Sequence, residues 1–144
     1  MKLEANLVYI VEIFNKILCD AKEAAIGQAE LGKLTLPQFR YLEAIHRLGN
    51  PTFTELKDYL NVTKASVTSI IDRLIKTGYV TKIRSAEDSR SYHLHLTAKA
   101  QRLMTAEHEA LAKLLAEIKK YVNEDEVEQL NRIFTKLVNG MRNP

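Results

Sequence analysis

The sequence of residues 53–96 is FTELKDYLNVTKASVTSIIDRLIKTGYVTKIRSAEDSRSYHLHL, and its hydrophobic pattern changes midway from helical to strand-like. Thr52 and Thr63 each precede an apolar stretch of helical period, so each is predicted to cap a helix. Gly78 is predicted to end the second helix. Polar and apolar residues then alternate on both sides of a polar loop, which predicts a hairpin over residues 79–96. The stretch therefore predicts a helix-turn-helix followed by a two-stranded wing.

Long amphipathic helices are predicted on both sides of this stretch. Apolar residues at three- and four-residue steps predict one helix over residues 3–30, ended by Gly32. Thr35 opens a helix that runs to about Leu48, and two further helices follow residue 97, the first ending near residue 122. The expected fold class is mainly α, an α+β winged helix with long flanking helices. The apolar stripes of those helices exceed what the middle can cover, which favours a homodimer over an intramolecular bundle.

The composition narrows the class of protein. The chain has 144 residues, 46% hydrophobic and 27% charged, which is typical of a globular domain. No apolar run approaches the roughly 20 residues of a membrane span. The single cysteine, Cys19, excludes an internal disulfide and favours a reducing, cytoplasmic location. The net charge is +3, and its largest local excess lies in residues 53–96, which is compatible with nucleic acid as a partner.

The predicted helix over residues 63–76 has the composition of a DNA-reading helix. Small side chains let its backbone approach the major groove, hydroxyls can bond bases or phosphates, and its N-terminus attracts phosphate. A capping role would explain Thr63 but not the rest of the polar face. The candidate DNA contacts on this helix are Thr63, Lys64, Ser66, Thr68, Ser69 and Arg73.

The predicted hairpin supplies a second candidate contact. Its loop contains Asp88 and Arg90, and the strand before it carries Lys82 and Arg84. An arginine at a hairpin tip can enter the minor groove, where negative potential is concentrated. Asp88 is expected either to orient Arg90 or to cap the turn. A solvated turn would explain the loop alone, but its position after a helix-turn-helix favours a DNA contact.

Motifs within residues 56–97 resemble the MarR (multiple antibiotic resistance regulator) family. The motifs are Val62–Thr68, Asp72–Leu74, Gly78–Val80, Asp88–Arg90 and Leu94–Thr97. The resemblance implies a homodimer with two winged domains that read a palindromic operator in double-stranded DNA, usually as a repressor. It also implies three parts: residues 1–34 and 98–144 as the dimerisation domain, and residues 35–97 as the DNA-binding domain.

The resemblance assigns roles to residues of the wing as well. It implies Arg90 as the minor-groove residue, Asp72 and Asp88 as its supports, and Arg84 as a wing anchor. Some family members place a base-reading arginine where this chain has Ser69, so its base contacts are expected to differ.

The resemblance further implies release from DNA by a small anionic aromatic ligand. The ligand would occupy a cleft between the dimer helices and the winged domain. Candidate lining residues are Tyr9, Ile13, Phe14, Phe39 and Leu42, although such a stripe also fits an ordinary core.

Two other switches known in the family fit this sequence poorly. Cys19 is the only candidate redox residue, and the peroxide-sensing pattern fails at Val11 and Leu36, so redox sensing stays an alternative only. The histidines are scattered along the chain, and no metal or other cofactor is expected. They are His46, His93, His95 and His108.

Other functional classes receive less support. The sequence has no glycine-rich phosphate loop and no nucleophile with a placed base, so an enzyme is not expected. A winged-helix protein-interaction module without DNA binding remains an alternative. That class predicts an acidic or apolar reading face, whereas this face and wing carry lysines and arginines.

Overall fold

The computed structural model describes residues 2–142, which form seven helices and one two-stranded sheet. None of these helices has an apolar stretch long enough to cross a membrane. The winged helix-turn-helix predicted over residues 53–96 is confirmed, with long helices on either side. The elements are α1 (Lys2–Ile26), α2 (Gln28–Lys33), α3 (Leu36–Leu48), α4 (Phe53–Leu60), α5 (Lys64–Lys76), β1 (Val80–Arg84), β2 (Tyr92–Leu96), α6 (Ala98–Lys119) and α7 (Glu124–Arg142).

The first predicted helix is interrupted at Gly27. The prediction of one helix over residues 3–30, ended by Gly32, is wrong, because α1 stops before Gly27 and Gly32 lies inside α2. Gly27 has a φ of 85°, a left-handed conformation that glycine adopts without a Cβ clash. Hydrophobic spacing did not indicate the break, because one non-helical residue barely shifts the apolar stripe.

The other predicted helix starts are confirmed by side-chain caps. The Thr35 hydroxyl accepts a hydrogen bond from the Gln38 N–H at 3.3 Å, and the Gln38 side chain accepts one from the Thr35 N–H at 3.0 Å. Such capping boxes join residues three apart, so they can be read from sequence. The further caps are Thr52 with Glu55, Thr63 on α5, Thr97 on α6 and Asn123 with Glu126.

The core lies between α3, α4, α5, the sheet and the first turns of α6. Leu42 and Ile45 on α3 and Ile71 and Leu74 on α5 are at most 1% exposed. At about 25 cal/mol per Å² of apolar surface, these side chains are the main source of stability for the winged core.

The wing is anchored at its base. β1 and β2 are antiparallel, with Val80 opposite Leu96 and Arg84 opposite Tyr92. The Leu94 N–H on β2 also donates to the Pro51 carbonyl at 2.8 Å, so the strand is held on its other side as well. The base of the wing therefore moves with α3 and α4, while its tip projects.

The long helices outside the winged core leave many apolar side chains exposed. α1 and α6 pack along each other, and we call this pair the helical frame. α6 ends at Lys119, slightly before the predicted end near residue 122. No residue of α1 or α7 is buried within the described chain. The apolar side chains that stay exposed on both helices are therefore available for another surface.

Candidate nucleic-acid interface

α5 has one buried face and one exposed polar face. Val67, Ile71 and Leu74 enter the core at intervals of three and four residues. Because these side chains fix the rotation of the helix about its axis, the opposite face is presented to solvent. That face consists of Lys64, Ala65, Thr68, Ser69, Asp72, Arg73 and Lys76.

The N-terminus of α5 is capped and accessible. The Thr63 hydroxyl accepts a hydrogen bond from the Ser66 N–H at 3.1 Å. Thr63 and Lys64 are both exposed, so the positive end of the helix dipole lies at the surface. This arrangement suits an anionic group such as a phosphate.

Ser66 lies differently from the expectation of a DNA contact. It is half-buried, and its hydroxyl is 3.2 Å from the hydroxyl of Tyr41 on α3, within hydrogen-bonding distance. The pairing faces the interior of the domain, where Ser66 ties α5 to α3. Tyr41 was not found from the sequence, because the two residues are 25 positions apart.

The wing loop is ordered by its own polar side chains. The Asp88 carboxylate accepts a hydrogen bond from the Arg90 N–H at 3.0 Å, so Asp88 caps the turn. The Ser85 hydroxyl accepts bonds from the N–H groups of Glu87 and Asp88. Arg90 is exposed on this loop. No hydrogen bond or ion pair joins Asp72 to Arg90 within residues 2–142.

Arg84 and Tyr92 form a cross-strand pair on the wing. The Arg84 guanidinium donates to the Tyr92 hydroxyl at 3.0 Å, and the Lys82 amine lies 5.1 Å from the ring centroid. The hydrogen bond from Arg84, and then its charge, lower the pKa of Tyr92. Tyr92 was not singled out from the sequence, although the hairpin register would have placed it opposite Arg84.

A groove beside the C-terminal half of α5 adds two further cations. Its volume is about 470 Å³, and it is lined by Lys33 and Gln38 together with Arg73 and Lys76 of α5. Of these residues, only Arg73 was predicted from the sequence. Lys76 could have been found from helical spacing, since it lies three residues after Arg73 and four after Asp72 on the same exposed face.

The predicted ligand-lining residues do not share one environment. Phe39 and Leu42 belong to the core, at 9% and 0% exposure. Tyr9 and Ile13 lie on the exposed side of α1, and Tyr9 lines a shallow groove formed by α1 alone. Phe14 is half-buried. Their grouping in one pocket stays a prediction.

Neither the candidate redox residue nor the candidate metal residues belong to a metal-ligating cluster in the described chain. Cys19 is exposed, and its thiol lies 3.7 Å from the Glu23 carboxylate. Partial desolvation, and then the Glu23 charge, raise the pKa of Cys19, which disfavours the reactive thiolate. His93 contacts the Asn50 carbonyl at 2.8 Å. The part of the chain that the structure describes has no group of three metal-ligating side chains.

A carboxyl pair lies where α3 meets α6. Glu43 and Glu107 line a cavity of about 210 Å³ together with His46, Arg47 and His108. Burial raises the pKa of Glu107, and the nearby Glu43 carboxylate raises it further. The ionised form of Glu107 is therefore disfavoured in the folded protein.

Glu107→Gln should stabilise the protein at pH 8 and lose this advantage toward pH 5. The folded pKa exceeds the unfolded one, so the wild type gains stability as the pH falls through the folded pKa, and glutamine removes that dependence. Because Glu107 is only half-buried, screening limits the gain at pH 8 to about 1 kcal/mol. Thermal unfolding at both pH values checks this, with Glu109→Gln on the exposed side of α6 as control. An advantage that is equal at both pH values would contradict it.

Comparison with known proteins identifies relatives and structural neighbours. A family model described as the MarR family matches residues 34–92. The HTH-type transcriptional regulator BilQ of Clostridioides difficile is 31% identical over 98 residues, which cover 68% of this chain and 66% of BilQ. A MarR-like transcriptional regulator of Thermotoga maritima has a TM-score of 0.77 at 20% identity, covering 99% of this chain and 96% of that one. FabT of Streptococcus pneumoniae, crystallised in complex with DNA, has a TM-score of 0.69 at 22% identity and 97% coverage of both chains.

Proposed function

Because this chain belongs to the MarR family of helix-turn-helix transcriptional regulators, we propose that it binds a palindromic DNA operator as a homodimeric repressor. In this proposal α5 enters the major groove and the wing over residues 80–96 reaches the minor groove. The observation that carries it is the exposed face of α5, which is small, polar and basic while the opposite face is locked in the core.

The make-up of that face supports readout of bases as well as attraction to phosphate. Thr68 and Ser69 are short enough for the helix backbone to approach base edges, and their hydroxyls can donate or accept. Lys64 lies at the N-terminal end of the face and Arg73 near its C-terminal end, where both can contact phosphates. We propose that Ser66 acts through Tyr41, by holding α5 in place, and does not contact DNA directly.

The wing supports a minor-groove contact by Arg90. The Asp88 carboxylate accepts a hydrogen bond from the Arg90 backbone N–H. This bond shapes the turn, and the arginine lies exposed at its tip. Arg84 is held against Tyr92 and stiffens the hairpin behind this tip. We therefore propose Arg90 as the inserted residue, Arg84 as the anchor and Asp88 as the turn cap. Within residues 2–142, Asp72 makes no hydrogen bond or ion pair that supports its predicted role.

The exposed apolar faces of α1 and α7 support a homodimer. Leu3 and Leu7 on α1 are 82% and 61% exposed, and apolar side chains on α7 are exposed in the same way. Exposed apolar side chains in this number on two helices indicate an interface. A second copy of the chain provides the same surface about a two-fold axis, which would also supply two winged domains for a palindrome. The exposed apolar side chains of α7 are Ile133, Phe134, Leu137, Val138 and Met141.

We further propose that a small anionic aromatic ligand releases the repressor. A cavity of about 370 Å³ between α1 and α6 offers space for such a ligand, because Ala21 and Ala25 leave room in it; its charged lining residues are Arg102 and Glu109, of which Arg102 would pair with the anionic group. The cavity differs from the pocket expected from the sequence, since it contains none of the five residues named for that pocket.

A gel-shift titration against the intergenic DNA upstream of the gene tests this function. Operator affinity should fall steeply with salt, with a log–log slope of about −0.9 per phosphate contacted. Benzoate added to the formed complex tests release by a small anionic aromatic compound. Weak binding that any DNA competes away would instead favour a protein-interaction module.

Arg90→Ala should weaken operator binding by about 5- to 150-fold, the usual effect of removing one groove-reading arginine at 1–3 kcal/mol. The melting temperature should stay unchanged, because Arg90 is exposed. The matched control is Arg132→Ala on α7, where the arginine pairs with Glu128 at 3.4 Å, away from the wing. If the two variants bound the operator with equal affinity, Arg90 would not be a DNA contact.

A further inference from the structure

Lys99, at the start of α6, contacts three other parts of the fold. Its amine donates to the Thr77 carbonyl at 2.9 Å, pairs with the Glu30 carboxylate at 2.7 Å and lies 4.1 Å from the centroid of the Tyr79 ring. The Tyr79 hydroxyl donates to the same Glu30 oxygen at 3.1 Å. These four residues, which we call the Lys99 cluster, join α2, the end of α5, the turn before β1 and α6.

The hydrogen bonds of the cluster need a protonated Tyr79 hydroxyl and an ionised Glu30 carboxylate, and the surroundings favour both states. Burial, and then the bond to Glu30, raise the pKa of Tyr79 to about 12, so its hydroxyl stays a donor at neutral pH. The hydrogen bond from Lys99, and then that from Tyr79, lower the pKa of Glu30, which keeps the carboxylate ionised. Tyr79 itself is 2% exposed, so this network is sheltered on one side.

The cluster reaches the part of α5 that carries a proposed DNA contact. Thr77 is the C-cap of α5, and its hydroxyl donates to the Arg73 carbonyl at 2.9 Å. An ammonium group at this end also stabilises the negative end of the helix dipole. The last turn of α5, including Arg73, is thus tied to α2 and to the helical frame.

We infer that Lys99 is a positioning residue that sets the angle of α5 against the helical frame. The consequence for DNA rests on the proposed function, because in a dimer this angle sets the separation of the two α5 helices. α5 is roughly 20 Å long, so a tilt of about 10° at its C-terminus moves its N-terminus by about 3 Å. Half-sites one helical turn apart, about 34–36 Å, do not tolerate such a displacement at both ends.

Lys99→Met tests the inference, since it removes the ammonium and keeps most of the side-chain stem. Hydrogen–deuterium exchange of the free protein should be faster by at least about threefold over residues 73–80 and unchanged in the middle of α1 and α6. Operator affinity should fall by about 3- to 30-fold at the half-site spacing that the wild type binds best. Adding or removing one base pair between the half-sites should then reduce the affinity of the variant less than it reduces that of the wild type. Lys99→Arg should restore both properties. The matched control is Lys120→Met, at the other end of α6, where Lys120 pairs with Glu117.

A second pair of variants keeps the test decisive. Tyr79→Phe removes one hydroxyl and should give a weaker form of the same exchange pattern. Glu30→Gln combined with Lys99→Met should lower affinity no more than Lys99→Met alone, because both act through one network. The inference would be overturned if Lys99→Met showed the same hydrogen–deuterium exchange and the same half-site spacing preference as Lys120→Met. If the wild type binds no operator, the proposed function fails, and the exchange of residues 73–80 alone decides whether Lys99 holds α5.

Discussion

Leu137→Asp should convert the protein to a monomer and lower its operator affinity by about 10²- to 10⁴-fold. Leu137 lies in the middle of the exposed apolar face of α7, between Phe134 and Met141. A carboxylate placed there would be buried without a partner in the proposed interface, which strongly disfavours association. A monomer contacts one half-site only and loses the gain from binding two linked half-sites, which sets the size of the effect.

Sedimentation equilibrium and a gel shift on the same samples measure the two parts of this prediction. Asn139→Asp is the matched control, because it places the same charge on the polar side of α7. Circular dichroism should show the same helix content for both variants if the winged core stays folded. A dimeric Leu137→Asp protein, or a wild type that is already monomeric, would show that α7 is not the interface.

Leu42→Ala should lower the free energy of unfolding by about 3–5 kcal/mol. The side chain is 0% exposed and packs in the core of the winged domain, where truncation leaves a cavity that α5 and the sheet cannot close. The sequence had also suggested Leu42 as a ligand-lining residue, and a loss of this size identifies it as a core residue.

Urea denaturation followed by circular dichroism measures this loss. Leu36→Ala is the matched control, since Leu36 stands at the start of the same helix α3 and is 71% exposed. It should change the unfolding free energy by no more than about 0.5 kcal/mol. If both variants lost the same free energy of unfolding, the core would have collapsed around the smaller side chain at position 42. The stability of the core would then not depend on the Leu42 side chain.

Local chemistry explains most of what the sequence predicted correctly. The capping pairs of Thr35 and Thr52 join residues three apart, and the strand alternation around Leu94 has a period of two. These signals lie within one element, so they survive without knowledge of the fold. The buried face of α5 followed from the same spacing, which is why its exposed face was named almost correctly.

Spacing within one element does not show features that one residue or one distant partner decides. Gly27 breaks the first helix through a single left-handed φ, and the hydrophobic stripe continues across it. The pairing of Ser66 with Tyr41 joins residues on two helices, and spacing within α5 does not contain it. Phe39 and Tyr9 were predicted on faces of two different helices, and the structure places one in the core and the other exposed on α1, so their shared pocket stays a prediction.

By itself the sequence determined the order of the elements from α3 onward, the starts of those helices and the buried and exposed faces of α5, because neighbouring residues within one element carry that information. Only the tertiary structure decided that Lys99 meets Glu30, Thr77 and Tyr79, since these residues come from elements up to 69 positions apart. It also decided that no residue of α1 or α7 is buried within the described chain. Burial depends on the apolar area that the rest of the chain can cover, and residue spacing within one helix does not contain that quantity.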